Sequence, residues 1–389
     1  MARRPRIGLA LSGGGARAIA FHLGCLRALH DRGILERVSV LSTVSGGSVI
    51  GALYAYQDES FPEFEARVVA LLRRGLTWGI VRQTFLSPES FKILAALVSA
   101  GLIALAGACV GILVRVLGLF RLGGPRLTTL SARLSAPLPR FASRTTAFER
   151  HLRKHFGDRT MDQVRKAGLV VVINATELRT GTAFRYGSRE SGCWRLGRLT
   201  DVANVSKAVA ASAAFPALLP SFDEVLTFEK GGEAVRHRVI VTDGGVYDNL
   251  GISCLLPGRS PEFSTNAHGV DFIIACDAGQ GMPSGAAKPY FWGSRMIASI
   301  NTIHRRTHSL SYEMLHRLSA RGEIEGFLLP YLGQVDARLP YRPPELIPRG
   351  AVVDYPTDFS PMTEAAIHDL SLRGEQLTRL LIESYAPDL

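Results

Sequence analysis

Short apolar runs alternate along the first 280 residues with stretches whose apolar positions recur at helical spacing. Residues 6–11 read as a buried strand, residues 13–15 as a tight glycine loop, and residues 17–32 as a helix with Gly33 where a C-terminal cap belongs. Residues 38–44 form a second strand and 47–57 a second helix. Residues 169–174 (LVVVIN), 239–241 and 272–275 (FIIA) supply three more strands. Short, almost wholly apolar strands alternating with helices predict an α/β fold: a central, mainly parallel sheet buried between helices. Residues 362–385 keep helical spacing, whereas 330–361 are proline-rich and predict irregular chain. There is no internal repeat and no low-complexity tract. The expected organisation is one domain over residues 1–389, interrupted by a hydrophobic and basic insertion at 80–145 and closed by a C-terminal extension, 320–389, that ends in a helix.

Composition narrows the class. At 389 residues and 47% hydrophobic content the chain can bury a large core, which excludes general disorder. Lys and Arg total 45 against 34 Asp and Glu, a net charge of +11 that suits an anionic partner. Nucleic acid is not that partner by motif: there is no zinc finger, RNA-recognition signature or basic patch interleaved with aromatics. Cys25, Cys109, Cys193, Cys254 and Cys276 are widely spaced and lack any CxxC, so they predict neither a disulfide framework nor a zinc site and fit a reducing compartment. The apolar part of the opening, residues 7–11, is too short for a secretory signal, and no signal peptide is expected.

Chemistry enters with VSVLSTVSGGSV, residues 38–49, where a β-branched run ends on Ser45 followed by Gly46 and Gly47. A serine on a sharp strand-to-helix turn has its hydroxyl held out at the carboxyl edge of a sheet, and small neighbours let the backbone bend there. The position two before it is Thr43 rather than the glycine of a complete G-x-S-x-G. A nucleophile also needs backbone donors for the oxyanion, and Gly13, Gly14 and Gly15 at a helix N-terminus supply them. Its base is expected from HRVIVTDGGVYDNLG, where Asp243 ends a strand before Gly244 and Gly245. The same glycine loop also reads as G-x-G-x-x-A (Gly13, Gly15, Ala18), a dinucleotide-binding fingerprint, although no acidic residue closes the second strand. His151 with His155 and His304 with His308 are i,i+4 pairs without a third ligand, and are expected to be packed or solvated. His237, six residues before Asp243 along a strand, is a poor triad candidate.

Taken together and in order, LSGGGARA, TVSGGS, ASAAFPALLPS (211–221) and DGGVYDN resemble the patatin-like phospholipases. The resemblance covers about residues 6–280, and departs at Thr43 and Ala18, where many members have glycine. It implies a patatin-like layered α/β fold and a lipid acyl hydrolase with Ser45 as nucleophile and Asp243 as its partner in a Ser–Asp dyad. It further implies Gly13–Gly15 as oxyanion hole, no cofactor and no metal, and a phospholipid or related acyl lipid as substrate. Arg17, beside the loop, is a candidate for a lipid phosphate, against the alternative of a solvated first-turn arginine; Gly46 and Gly47 are candidates for substrate contact. A hydrolase-like fold that only binds lipid is the remaining alternative.

The run ILAALVSAGLIALAGACVGILV, residues 93–114, carries no charge in 22 residues and is long enough to cross a bilayer. A single crossing would put Ser45 and Asp243 on opposite sides. The expectation is therefore a segment that dips in and returns, with Gly101 as hinge, lies along the interface, or packs in the core. Arg115, Arg121, Arg126, Arg133, Arg140, Arg144, Arg150, Arg153 and Lys154 follow it and suit anionic headgroups, and the expected location is the cytoplasmic face of a membrane.

Overall fold

The computed structural model describes residues 5–120, 126, 129, 141–216, 218–282, 285 and 288–389. Its first unit is β1 (Ile7–Leu11), α1 (Gly15–Asp31), β2 (Val38–Val44) and α2 (Gly46–Ala55). All five β1 residues and all but one in β2 are buried, as expected of strands covered on both faces. Helices α3 (Phe61–Arg74), α4 (Thr77–Phe85), α5 (Pro88–Leu119) and α6 (Arg144–Phe156) lead to β3 (Val170–Glu177). Strands β4 (Thr182–Gly187), β5 (Ser191–Cys193) and β6 (Gly197–Leu199) precede α7 (Val205–Ser212) and the hairpin of β7 (Phe222–Lys230) and β8 (Glu233–Asp243). Then come α8 (Gly245–Asp248), β9 (Phe272–Cys276), α9 (Trp292–Ala320), β10 (Gly326–Leu328), α10 (Arg349–Val352) and α11 (Glu364–Tyr385).

The sheet runs β10-β9-β1-β2-β3-β4-β5-β6-β7-β8, with β8 also paired to β3. The half from β10 to β3 is parallel, as the alternation of apolar runs and helices requires. From β3 onward the pairings are antiparallel and close on themselves through β8. That half was not legible in the sequence, because β5 and β6 have three residues each and β7 is largely polar.

The C-terminal extension is part of the body. Helix α11 lies on α1, where Arg27 pairs with Glu375 at 2.7 Å and the Cys25 thiol faces the Gly374 carbonyl. Arg373 is fully buried yet satisfied: its guanidinium donates to the carbonyls of Leu332, Ile347 and Gln334 and to Asp336 Oδ1. A buried charge persists only where its donors are matched in this way.

Helix α5 corrects two expectations about residues 93–114. It runs unbroken through Gly101, so there is no hinge, and only Glu89, Ala96 and Gly107 along it are buried, so it is not a core helix. Pro88 at the first position and the Ser87 hydroxyl, which accepts the Glu89 amide at 3.1 Å, start it. At 32 residues it is long and apolar enough to cross a membrane, and only 6% of its most apolar 18-residue stretch is buried. Of the basic residues expected to follow it, Arg121, Arg133 and Arg140 lie outside the described residues.

Candidate active site

Sheet register brings residues 45 and 243 together. Along one edge of β3, β2 pairs in parallel up to Val44 opposite Asn174. On the next β3 residue β8 takes over, antiparallel, with Asp243 opposite Ala175. The two strands thus meet head to head, one rung apart, at a spacing of roughly 3.4 Å per residue. Ser45 follows Val44 directly, so its side chain and that of Asp243 are delivered to one point from opposite directions.

Ser45 takes φ 50° and ψ −117°, and with Asn266 it is one of two non-glycine residues at positive φ among the described residues. A β-branched strand end cannot relax into such a turn without support. The support is local: the Ser45 amide donates to Ser212 Oγ at 2.9 Å, and Ser212 Oγ also meets Ser48 Oγ at 2.9 Å. Ser212 closes α7 and belongs to the 211–221 segment, but sequence alone offered no role for it. Thr43, where glycine is usual, is accommodated because a Cβ on Gly51 would come within 2.5 Å of the Thr43 methyl.

Asp243 is 2% exposed. Its Oδ1 accepts the Gly245 amide at 2.6 Å, while Oδ2 is buried with no hydrogen-bond partner among the described residues. Burial pushes the carboxyl up to about 7, against the smaller opposing pull of the Gly245 amide and the Ser45 side chain. The Ser45 side chain is thus one of the groups that bear on this carboxyl. A carboxylate of ordinary pKa is a feeble base toward a hydroxyl; one near 7 is matched to neutral pH.

The glycine loop lies against this pair. A Cβ on Gly13 would stand 3.2 Å from the Ser45 Cβ and 2.2 Å from Asn249 Oδ1. The Gly13 amide is not a free donor, which corrects one expectation: it donates to the Asn249 carbonyl at 3.1 Å. The Gly14 and Gly15 amides have no acceptor among the described residues and sit at the positive end of α1. The Ala16 amide donates to the Asp358 carbonyl at 2.7 Å, and a Cβ on Gly15 would strike that carbonyl at 2.3 Å. The place where a pyrophosphate would sit on the helix N-terminus is thus filled by the C-terminal extension, which removes the dinucleotide reading.

Three further residues stand differently from expectation. Gly46 and Gly47 are buried: a Cβ on Gly46 would be 2.3 Å from the Gly15 carbonyl, and one on Gly47 2.3 Å from that of Leu11. They let the elbow and the loop touch, backbone to backbone, in place of the substrate contact expected of them. Arg17 is neither solvated nor free for a phosphate. It is 4% exposed and donates Nε to the Ala278 carbonyl at 3.0 Å and Nη1 to that of Tyr355 at 2.8 Å, bracing the loop. Burial lowers its pKa to about 10, which leaves it charged. Arg17→Lys is expected to cost about 1–3 kcal/mol through unsatisfied carbonyls, and to slow turnover as the loop loosens; thermal denaturation beside an esterase assay checks both.

Sequence reasoning missed the cluster behind the loop. Asp277, fully buried at the end of β9, accepts the Gly279 amide at 2.8 Å and the Tyr312 hydroxyl, and faces His308 Nδ1 at 3.3 Å. Burial alone would raise the carboxyl, but His308 and Tyr312 hold it well below the ordinary value. His304, one turn before His308, lies against the Gly245 backbone. Both histidine pairs share a helix face, with ring centroids 5.6 Å (His151, His155) and 5.0 Å (His304, His308) apart. No group of three metal-ligating side chains occurs among the described residues.

Around Asp243 the surface is apolar. Phe215, Leu218, Val246 and Tyr247 are each between 38% and 49% exposed, and the Asp243 amide and Thr242 hydroxyl both bond the Ala214 carbonyl of that rim. The base of α5 adjoins the same rim. Glu89 Oε1 accepts Thr146 Oγ1 at 2.8 Å, and Thr145 Oγ1 bonds the Pro220 carbonyl. The chain therefore leaves the body at Glu89 and is back beside it by Thr146. Insertion of α5 into a membrane would leave Ser45 and Asp243 together on one side, contrary to the constraint expected from a single crossing.

Comparison of the sequence with known families agrees with the resemblance read from its motifs. The sequence model of the family described as patatin-like phospholipase matches residues 9–256. Among curated proteins, lysophospholipase NTE1 of Kluyveromyces lactis is 37% identical over 86 residues, 20% of this chain and 6% of the relative. The Saccharomyces cerevisiae enzyme is 38% identical over 86 residues, 20% of this chain and 5% of the relative. The match thus spans only about a twentieth of these relatives' length. Among solved structures, human GIVD cytosolic phospholipase A2 superposes with a TM-score of 0.47 at 12% identity, over 97% of this chain and 61% of that one. VipD from Legionella pneumophila gives 0.40 at 15% identity, over 99% and 68%.

Proposed function

The chain belongs to the patatin-like phospholipase family, and from that premise we propose that it is a lipid acyl hydrolase working at a membrane surface, with Ser45 as nucleophile and Asp243 as its base. The observation that carries this reading is the head-to-head meeting of β2 and β8 on β3, which brings a strained serine to a buried carboxylate with one oxygen free. In the forward step Asp243 Oδ2 takes the Ser45 proton as Oγ attacks the ester carbonyl, and the Gly14 and Gly15 amides receive the oxyanion. Collapse expels the alcohol, which takes the proton back from Asp243. Water, deprotonated by the same carboxylate, then attacks the acyl carbon, and the acyl group leaves as a fatty acid as Ser45 Oγ takes the proton back from Asp243. The apolar rim of Phe215, Leu218, Val246 and Tyr247 suits an acyl chain, so phospholipids or related acyl lipids are the proposed substrates.

Docking falls to α5. Leu94, Leu97, Leu102, Leu105, Ile112 and Leu113 are each at least half exposed, and burying such a side chain stabilises by roughly 1.5–3 kcal/mol. Arg150, beside Glu89 at the base of α5, and Arg115, in its last turns, complement anionic headgroups. The cytoplasmic face is the proposed location, since five cysteines without a pairing pattern fit a reducing environment. Leu102→Glu with Leu105→Glu is expected to cut co-sedimentation with anionic vesicles by about tenfold or more. It should depress hydrolysis of vesicle phospholipid far more than that of a soluble short-chain ester. Undiminished sedimentation would remove α5 from the docking surface.

A further inference from the structure

Helix α9 is held from His304 onward. His308 and Tyr312 clasp Asp277, and Leu315 and Leu318 are buried in the cluster with Ile273 and Ala275. Its N-terminal half projects. Along the helix as a whole Trp292, Met296, Ile300, Ile303, Leu310 and Met314 are between 41% and 80% exposed. At 100° per residue these six positions fall within a sector of about 80°. The buried side, His304, His308, Tyr312 and Leu315, borders that sector on one flank, and the exposed Arg295 and Arg306 border it on the other. The stripe's direction is therefore set by the core and not by the helix itself.

The tip is aromatic. Tyr290, Phe291 and Trp292 are 67%, 81% and 80% exposed. Consecutive exposed rings of this kind suit the headgroup level of a bilayer, where an apolar body and a polar edge are both accommodated. Charge points the same way: the 35 residues between Asp277 and Glu313 contain no carboxylate and four cations, Lys288, Arg295, Arg305 and Arg306. The projecting part of the helix is thus one-sided in charge, and an anionic lipid surface requires that sign.

Position adds the third reason. His304, the residue after Ile303, lies against Gly245, whose amide bonds Asp243, so the projecting half of the helix starts beside the candidate active site. From there to Trp292 is 12 residues, about 18 Å of helix. The base of α5 reaches the same site from the Pro220 side.

We propose that the N-terminal half of α9, tipped by Tyr290, Phe291 and Trp292, is a second anchor that seats in an anionic phospholipid bilayer beside the active site. It deepens the membrane-surface reading, and its test does not depend on turnover. In full-length protein carrying Trp78→Phe and Trp194→Phe, Trp292 is the remaining tryptophan and reports its own surroundings. With vesicles of phosphatidylglycerol and phosphatidylcholine bearing brominated acyl chains, its emission shifts to the blue and is quenched. Pure phosphatidylcholine vesicles give a smaller response. Phe291→Ser with Trp292→Ser lowers sedimentation with the anionic vesicles about fivefold or more, while the circular dichroism spectrum is kept because both rings are exposed. Trp292 emission unmoved by vesicles that do sediment the protein would overturn the proposal. So would a loss of self-association in the double variant with sedimentation intact, which would make the stripe an interface between copies. Failure of the catalytic reading would look different: vesicle binding present and ester hydrolysis absent.

Discussion

Ser45→Ala is expected to abolish ester hydrolysis, by at least about 10³-fold in kcat, as removal of a nucleophile does elsewhere. The fold should survive it. Alanine faces the same positive φ as serine, the Ser45 amide keeps its bond to Ser212, and only a hydroxyl near Asp243 is lost. A serine-reactive fluorophosphonate should label the native protein stoichiometrically and leave the variant unlabelled, with melting temperatures close to one another. Equal labelling of both proteins would place the nucleophile elsewhere. No labelling of either, with vesicle binding retained, would favour the lipid-binding alternative. Asn249 and Ser212 would then be read as structural supports of an inert turn.

Asp243→Asn separates activity from stability in opposite directions. Activity requires the ionised carboxyl, so kcat/KM of the native protein should rise with pH and level off above about 7, the value to which burial pushes this group. The amide cannot accept a proton, and the variant should lose about 10³-fold or more at every pH. Stability runs the other way. The folded carboxyl titrates near 7 and the unfolded one near 3.8, so between those values the folded state holds the extra proton and stability falls as pH rises. The loss is complete above about 7 and is of the order of 4 kcal/mol, at 1.36 kcal/mol per pKa unit. The neutral amide escapes it. The variant should therefore melt above the native protein at pH 8 and lose that advantage toward pH 4. A native protein whose melting temperature climbs across that range relative to the variant would show that Asp243 is stabilised as the anion. It would then not be the base.

Legibility followed the range of the forces involved. The strands at 6–11 and 38–44, the helices after them and the terminal helix were read within a residue or two, because each is dictated by neighbours in sequence. Helices α3, α4 and α9 and strands β4 to β7 went unread. Helix α3 does keep a helical stripe, Phe64, Val68, Leu71 and Leu72; in the others the periodicity is weak or the hydrophobicity is turned outward, so that Trp292, Met296 and Ile300 look like core positions and are surface. Asp277 and His308 lie 31 positions apart, and neither has a pattern that points to the other. Arg17 looked like a surface charge because arginine usually is one; only the carbonyls of Ala278 and Tyr355, folded over it, make its burial tolerable.

Local chemistry was thus settled by the chain itself: glycines where the backbone must turn, a serine and an aspartate each at a strand end, and an uncharged run too long for an ordinary core helix. Tertiary structure decided what those pieces are for. The register of β3 brings strand ends 199 positions apart, Val44 and Asp243, onto adjacent rungs, and the backbone of Asp358 closes the helix N-terminus that a nucleotide would have needed. The hydrogen bond between Thr146 and Glu89 returns the chain to the point it left, so an apolar helix can project without dividing the site. Each of these depends on hydrogen bonds between residues far apart in sequence, and no spacing along the chain encodes them.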